Sequence, residues 1–188
     1  MSYIEILIIA VSLAMDAFAV SISKGLTLKK FQISKALLAG AFFGIFQGLM
    51  PLIGYLVGST FAEYVTAFAH WIAFGILAFV GGNMIKESFG EEEVDGDFSF
   101  KTMFMLAIAT SIDALSVGVS FSMQELCTHI LVIVLIIGVV TFIISGLGVL
   151  LGSTVGNKFK KPAEIAGGVI LILIGLKILL EGLGVISF

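Results

Sequence analysis

Six apolar runs, at roughly 4–23, 35–57, 65–85, 102–121, 129–151 and 164–183, leave this chain few folds to choose from. Each is close to the ~20 residues an α-helix needs to cross ~30 Å of hydrocarbon. The chain is 188 residues long, 59% hydrophobic and 12% charged, more apolar surface than one soluble core can hide. The expectation is an all-α membrane protein of six transmembrane helices in contact with the lipid bilayer. One cysteine, Cys127, supports neither a disulfide framework nor a thiolate metal cluster, and it reads as a small side chain near a helix end. Nothing basic precedes the first run and Asp16 interrupts it, so Ala17-Phe18-Ala19 is not taken as a cleavage site and the first run is read as a retained helix.

The charges are sorted. All basic side chains are lysines. Lys24, Lys29, Lys30 and Lys35 follow the first run, Lys86 and Lys101 flank the third loop, and Lys158, Lys160 and Lys161 follow the fifth run. The positive-inside rule places these three loops in the cytoplasm and both termini outside. His70-Trp71 then falls on the outer side, where amphipathic rings settle, with packing as the expected role. The acidic run from Glu91 to Asp97 reads as a solvated loop; collecting cations ahead of a pore is the alternative.

The two halves repeat. A shift of 97 residues lays Asp16 on Asp113, Val20 on Val117 and Ser23 on Ser120; a shift of 94 lays Gly54, Gly58 and Gly81 on Gly148, Gly152 and Gly175, and Glu87 on Glu181. Three helices per half is an odd number, so the second half enters the membrane from the opposite side. The expected organisation is a first three-helix repeat over 1–90, an acidic cytoplasmic loop over 91–101 and a second repeat over 102–188, related by inverted topology. Gly40, Gly44 and Gly48, and likewise Gly148, Gly152 and Gly156, recur every four residues and predict close helix–helix contact.

A carboxylate near the middle of a membrane helix costs several kcal/mol by insertion scales and marks a site by default. Asp16 and Asp113 stand in similar phrases, Met15-Asp16-Ala17-Phe18-Ala19-Val20-Ser21 and Ile112-Asp113-Ala114-Leu115-Ser116-Val117-Gly118. At 1.5 Å per residue both come to lie ~16–18 Å deep, from opposite faces. Helical spacing puts Ser12 and Ser23 on the side of Asp16, and Thr110, Ser116 and Ser120 on that of Asp113. Gln47 and Asn83 add amide oxygens, and Pro51 is expected to free the Gln47 carbonyl. The metal set is thus Asp16, Asp113, Gln47 and Asn83 within a shell of hydroxyls, hard oxygens that suit Mg, Ca or Mn. The plainer alternative makes each aspartate hydrogen-bonded helix glue. Lys177 and Glu181 read as an i,i+4 pair with a snorkelling lysine, or as an internal cation competing for the aspartates; Glu87 and Glu164 are placed near the inner vestibule.

Several longer stretches resemble the MntP family of manganese efflux pumps. They are Ser12-Leu13-Ala14-Met15-Asp16-Ala17-Phe18-Ala19 with Lys24-Gly25, Pro51-Leu52-Ile53-Gly54, His70-Trp71-Ile72-Ala73-Phe74, Gly81-Gly82-Asn83-Met84-Ile85, Ala109-Thr110-Ser111-Ile112-Asp113-Ala114 and Ala163-Glu164-Ile165-Ala166-Gly167-Gly168. The resemblance spans nearly the whole chain. It implies a multi-pass protein of the prokaryotic plasma membrane that exports Mn2+, with the two membrane aspartates central to transport and a distant kinship to LysE-type amino-acid exporters. Gln47 stands where some members carry Glu, one negative charge fewer.

The expected activity is therefore secondary transport of Mn2+ out of the cytoplasm by alternating access, with Mn2+ as substrate, no cofactor, no enzymatic reaction and no nucleic-acid partner. Other divalent cations as cargo and a homo-oligomer stay open. No Walker-type glycine loop is present, so an ion gradient or the membrane potential supplies the energy, proton antiport being one route. The alternatives are export of a cationic amino acid and, more remotely, intramembrane aspartyl proteolysis, whose Tyr-Asp and Gly-x-Gly-Asp contexts are not met at Met15 and Ile112.

Overall fold

A computed structural model describes residues 3–28, 30–89, 97–123, 130–156 and 160–185, excepting the side chains at 59–69, 87, 123, 160, 161, 163 and 164. Over these residues the protein is all helical: α1 (Tyr3–Leu26), α2 (Ile33–Val57), α3 (Ser59–Ser88), α4 (Phe100–Thr110), α5 (Ile112–Met123), α6 (Ile130–Gly156) and α7 (Lys160–Gly182). Helices α1, α2, α6 and α7 are long and apolar enough to cross a membrane, and the bent pair α4–α5 makes a fifth candidate span. Large apolar side chains face outward along them, Ile4, Leu56, Leu131 and Leu135 among the most exposed. In water such a surface would be an aggregation hazard; in lipid it is the ordinary exterior. Of the sequence expectations, Cys127, Lys29, Lys158 and the acidic residues 91–96 lie outside the described residues, as do the side chains of Glu87, Lys160, Lys161 and Glu164.

Helix ends follow local chemistry. Ser99 caps α4, its hydroxyl accepting from the Thr102 amide at 3.3 Å. Asp97 braces the same turn, accepting from the Ser99 amide at 2.9 Å and from the Thr102 hydroxyl. Partial burial alone would raise the Asp97 pKa, but the hydrogen bonds from Thr102 and Ser99, with Lys24 nearby, hold it below the usual carboxylate range. The Lys24 and Lys35 ammonium groups lie 5.7 and 5.4 Å from the Phe98 ring centroid, so the start of α4 is tied to the end of α1 and the start of α2.

Glycines set the packing. A methyl on Gly44 would fall 2.7 Å from Gly138 O, one on Gly40 2.8 Å from Phe142 O, and one on Gly48 3.0 Å from Val134 O; α2 and α6 therefore cross antiparallel with backbones in contact. Helices α3 and α7 cross antiparallel too: Gly81 and Gly168 each leave 2.5 Å to the other's carbonyl, and Gly175 meets Leu77 and Phe74. By contrast α1 and α6 run parallel, Gly148 against Phe18, Gly152 against Ile22 and Gly156 against Leu26. So do α2 and the α4–α5 pair, with Phe42 on Phe100, Phe46 on Phe104 and Gly54 on Leu115. Two buried clusters result. One joins α1, α2, α3, α4 and α7 around Phe43, Leu77, Met103 and Leu171, and a smaller one joins α1 to α6 around Ala10, Ile133 and Ile137.

The expectation of one continuous helix over 102–121 is corrected. The chain bends by 43° between α4 and α5. Hydroxyls cause it. Thr110 Oγ1 donates to Leu106 O at 3.0 Å, Ser111 Oγ donates to Ala107 O at 2.6 Å, and the Ser111 amide closes back on Ile108 O at 3.2 Å. Carbonyls that regular turns would use are thereby shared with side chains, and the helix restarts at Ile112. Helix α2, in contrast, continues through Pro51.

Candidate cation site

Asp16 sits past the midpoint of α1 with its side chain 13% exposed, and Asp113 stands in the first turn of α5, just beyond the bend. The two carboxyl groups lie near enough to act on one another. They are 97 residues apart in sequence and reach this point from different helices. Two carboxylates at such range repel unless a proton or a cation lies with them. A cation is present: Lys177 Nζ, from α7, lies 3.3 Å from Asp16 Oδ1 and 3.7 Å from Glu181 Oε1, and both Lys177 and Glu181 act electrostatically on Asp113. The lysine thus has the i,i+4 partner read from the sequence and a second, longer-range one on α1. Asp113 also gains from its place at a helix start, where unpaired amides favour negative charge.

Gln47 is fully buried in α2. Its Nε2 donates to Leu13 O at 2.9 Å, placing the amide against α1 one turn before Asp16, and its Oε1 has no hydrogen-bond partner. The other expected ligand, Asn83, is exposed on α3 beside Gly82, and no hydrogen bond ties it to the aspartates. The expected hydroxyl shell divides. Ser23 is buried and donates to Ala19 O at 3.1 Å; Thr110 is buried and serves the bend; Ser116 is half-buried. Ser12 and Ser120 lie on exposed faces, Ser120 donating to Ser116 O at 3.2 Å. Most of these hydroxyls are spent on their own helix, where they would have to rotate away to meet a ligand. Met15 is exposed, in keeping with its being set aside as a donor.

Other buried polar residues lie at the bend, on α1 and on α6. Ser111 shapes the bend beneath Asp113. Ser21 on α1 and Thr141 and Ser145 on α6 are fully buried, and their hydroxyls have no partner. His70 packs on Gly182 where α3 meets the end of α7, and Trp71 faces outward. Among the described residues no three His, Cys, Asp or Glu side chains converge as a metal cluster. What the structure brings together is the Asp16 carboxylate and the Lys177 ammonium, with Glu181 one turn along α7 from the lysine and Asp113 near enough to feel all three.

Comparison with known proteins gives this arrangement a context. A family model described as "Putative manganese efflux pump" matches residues 30–179. The chain is 54% identical to the "Putative manganese efflux pump MntP" of Acetivibrio thermocellus, covering 100% of this chain and 96% of that protein. It is 54% identical to the protein of that name from Desulfitobacterium hafniense (98% and 97% covered) and 50% identical to that from Bifidobacterium longum (98% and 97%). No solved structure matches. Matched by the model over most of its length and by these relatives from end to end, the chain belongs to the MntP family of manganese efflux pumps.

Proposed function

We propose that the protein exports Mn2+ from the cytoplasm across the prokaryotic plasma membrane as a secondary transporter, with Asp16 and Asp113 as the charged ligands of a midplane site. The observation that carries this reading is the meeting of the two aspartates, from separate halves of the chain, around a single ammonium. The lysine occupies the place of a cation. When Mn2+ enters, two carboxylates offset its charge, Gln47 Oε1 supplies a neutral oxygen, and Lys177 swings back to Glu181 alone. Hard oxygen donors suit Mn2+, and two acids rather than a full cage keep the ion releasable. Asn83, exposed on α3, would join the site only through movement of that helix.

The transport cycle is alternating access of two inverted three-helix repeats, 1–90 and 102–188, with α3 as the sixth span and both termini outside. The contacts support this. Carrying contacts across by the 94- and 97-residue shifts reproduces others in three cases: Gly148 on Phe18 becomes Gly54 on Leu115, Gly40 on Phe142 becomes Gly48 on Val134, and Gly81 on Leu171 becomes Gly175 on Leu77, while Gly152 on Ile22 has no counterpart at Gly58. The Gly44–Gly138 crossing maps onto itself. Such exchange is what a two-fold axis in the membrane plane produces. The halves differ at one place, since α1 runs unbroken past Asp16 while its counterpart is bent before Asp113.

The test is Mn2+ uptake into inside-out vesicles by wild type, Asp16→Asn and Asp113→Asn. Each asparagine keeps the size and loses the charge, and each is expected to abolish uptake; folded variants that transport normally would overturn the site. A second reading has one observation in its favour. The group resting on Asp16 is a primary ammonium, the group a cationic amino acid presents. Lysine export in place of Mn2+ export, measured in the same vesicles, would establish that reading.

A further inference from the structure

Thr141 is one of three buried hydroxyls, with Ser21 and Ser145, that have no hydrogen-bond partner among the described residues. In a membrane helix a Ser or Thr side chain ordinarily donates to a carbonyl three or four residues back. Ser23, Thr110, Ser122, Ser153 and Thr154 all do so. Thr141 Oγ1 does not, although it is fully buried, and a buried polar atom without a partner calls for a ligand, a water or an ion. Its place is set by the packing. Ile137, one turn earlier on α6, shares an apolar cluster with Ala10, and Gly148, two turns later, meets Phe18. With α1 and α6 running parallel, Thr141 comes level with the turn of α1 that precedes Asp16. Gln47 holds that same turn from α2 by its bond to Leu13 O.

The repeat supplies an independent line. Thr141 lies 94 residues after Gln47, the shift that relates α2 to α6, and the two positions flank the Gly44–Gly138 crossing symmetrically. Both are fully buried, and each ends in an oxygen with no partner. If Gln47 serves the first half's aspartate, Thr141 holds the corresponding position in the second half.

From this we infer that Thr141 is a binding residue of the transported divalent cation, its hydroxyl oxygen joining Gln47 Oε1 as the pair of neutral ligands that complement the two aspartates. The inference rests on the proposed Mn2+ site. It explains how a second repeat that lacks an amide at this position still offers a hard oxygen there. Ser21 and Ser145, whose hydroxyls are likewise unpartnered, lie along the same α1–α6 interface; Thr141 is singled out from them by being the counterpart of Gln47 across the 94-residue shift.

The experiment is titration of purified protein with MnCl2 by calorimetry, alongside Mn2+ transport in proteoliposomes, for Thr141→Val and Thr141→Ser. Valine keeps the shape and removes the oxygen; it is expected to weaken Mn2+ binding roughly tenfold, as loss of a metal-site partner does, while serine stays near wild type. Thr154→Val is the control, an exposed threonine of the same helix whose hydroxyl already bonds Leu151 O. The double variant Gln47→Leu/Thr141→Val is expected to lose less than the product of the single losses, since both act on one ion. Should valine yield no folded protein, Thr141→Ala against Thr141→Ser asks the same question of the oxygen. Wild-type affinity in the folded hydroxyl-free variant overturns the inference. If Asp16→Asn and Asp113→Asn still abolish binding in that case, the proposed site stands without Thr141; if they too bind normally, the site itself falls.

Discussion

Replacing Lys177 by methionine is expected to tighten Mn2+ binding and slow its release. The change keeps the apolar stem and removes the ammonium that Mn2+ must displace from Asp16. At 3.3 Å a unit charge pair is worth about 5 kcal/mol at an effective dielectric of about 20, and about 1.3 kcal/mol in water. The Lys177 side chain is 43% exposed, so screening moves the net value toward the lower figure, to about 1–2 kcal/mol. Since about 1.4 kcal/mol is a factor of ten, the apparent Kd is expected to fall about five- to thirtyfold. Tighter binding at an unchanged barrier lowers the maximal transport rate, because release becomes slow. Without Mn2+ the variant leaves Asp16 and Asp113 facing each other, so its thermal stability is expected to fall and to recover when Mn2+ is added. Calorimetric titration, proteoliposome flux and melting with and without MnCl2 measure these three effects. An unchanged or weaker affinity in a folded variant would refute the reasoning and leave Lys177 as a structural tie between α7 and α1.

The glycine contacts predict a contrast: Gly44→Val drives side-chain atoms into Gly138 O and is expected to cost about 1–3 kcal/mol or more, whereas Gly75→Ala, with nothing within 4 Å of the added methyl, is expected to gain up to about 1 kcal/mol, both read by thermal unfolding in one detergent. Asp97 has its folded pKa below the ordinary 3.8, so the brace it gives α4 is fully present above that value and is lost as pH falls through the lower folded one. Asp97→Asn is accordingly expected to remove part of the acid sensitivity of unfolding, and an unchanged acid limb would contradict the assignment. Replacing Thr110 and Ser111 together by Val and Ala frees the carbonyls of Leu106 and Ala107 for regular turns; hydrogen exchange at the Ser111 and Ile112 amides is expected to slow, and transport to fall with Mn2+ affinity largely kept.

The helices were legible because membrane insertion is written in composition: long apolar runs leave little choice, and each finds helix in the structure, the run over 102–121 as the bent pair α4–α5. The repeated glycines were legible for the same reason, since close backbone approach tolerates no side chain, and Gly44, Gly48, Gly148 and Gly152 all lie at helix crossings. Asp16 and Asp113 announced themselves by cost. Neutral oxygens carry no such mark. Asn83 and Ser12 are polar at plausible spacing yet exposed, because periodicity gives the face of a helix and not which neighbour covers it. Thr141 lies inside the most apolar helix, and only its 94-residue relation to Gln47 marks it in the sequence. For Lys177 the sequence offers both a local pair with Glu181 and a cation competing for the aspartates, and the antiparallel docking of α7 on α1 realises both, bringing it to Asp16 as well.

The bend at Ser111 was the least legible feature, and it bears most on how two similar halves do different work. Serine and threonine are tolerated in straight helices, so Thr110-Ser111 signalled polarity without signalling a break. In the structure the two hydroxyls compete with the backbone and end α4 three residues before Asp113. The matching positions on α1 are Leu13 and Ala14, which have no such competitor, and there the helix stays whole while Gln47 bonds its Leu13 carbonyl from outside. Each half therefore has one polar device at the turn before its aspartate, an external amide in the first and internal hydroxyls in the second. An inverted repeat with identical halves would present its site equally to both sides of the membrane. On the proposed two-repeat reading, one bent and one straight half would give the pair of aspartates a direction, and exchange of the bend between halves, or its relaxation in one, is the smallest change expected to reverse it.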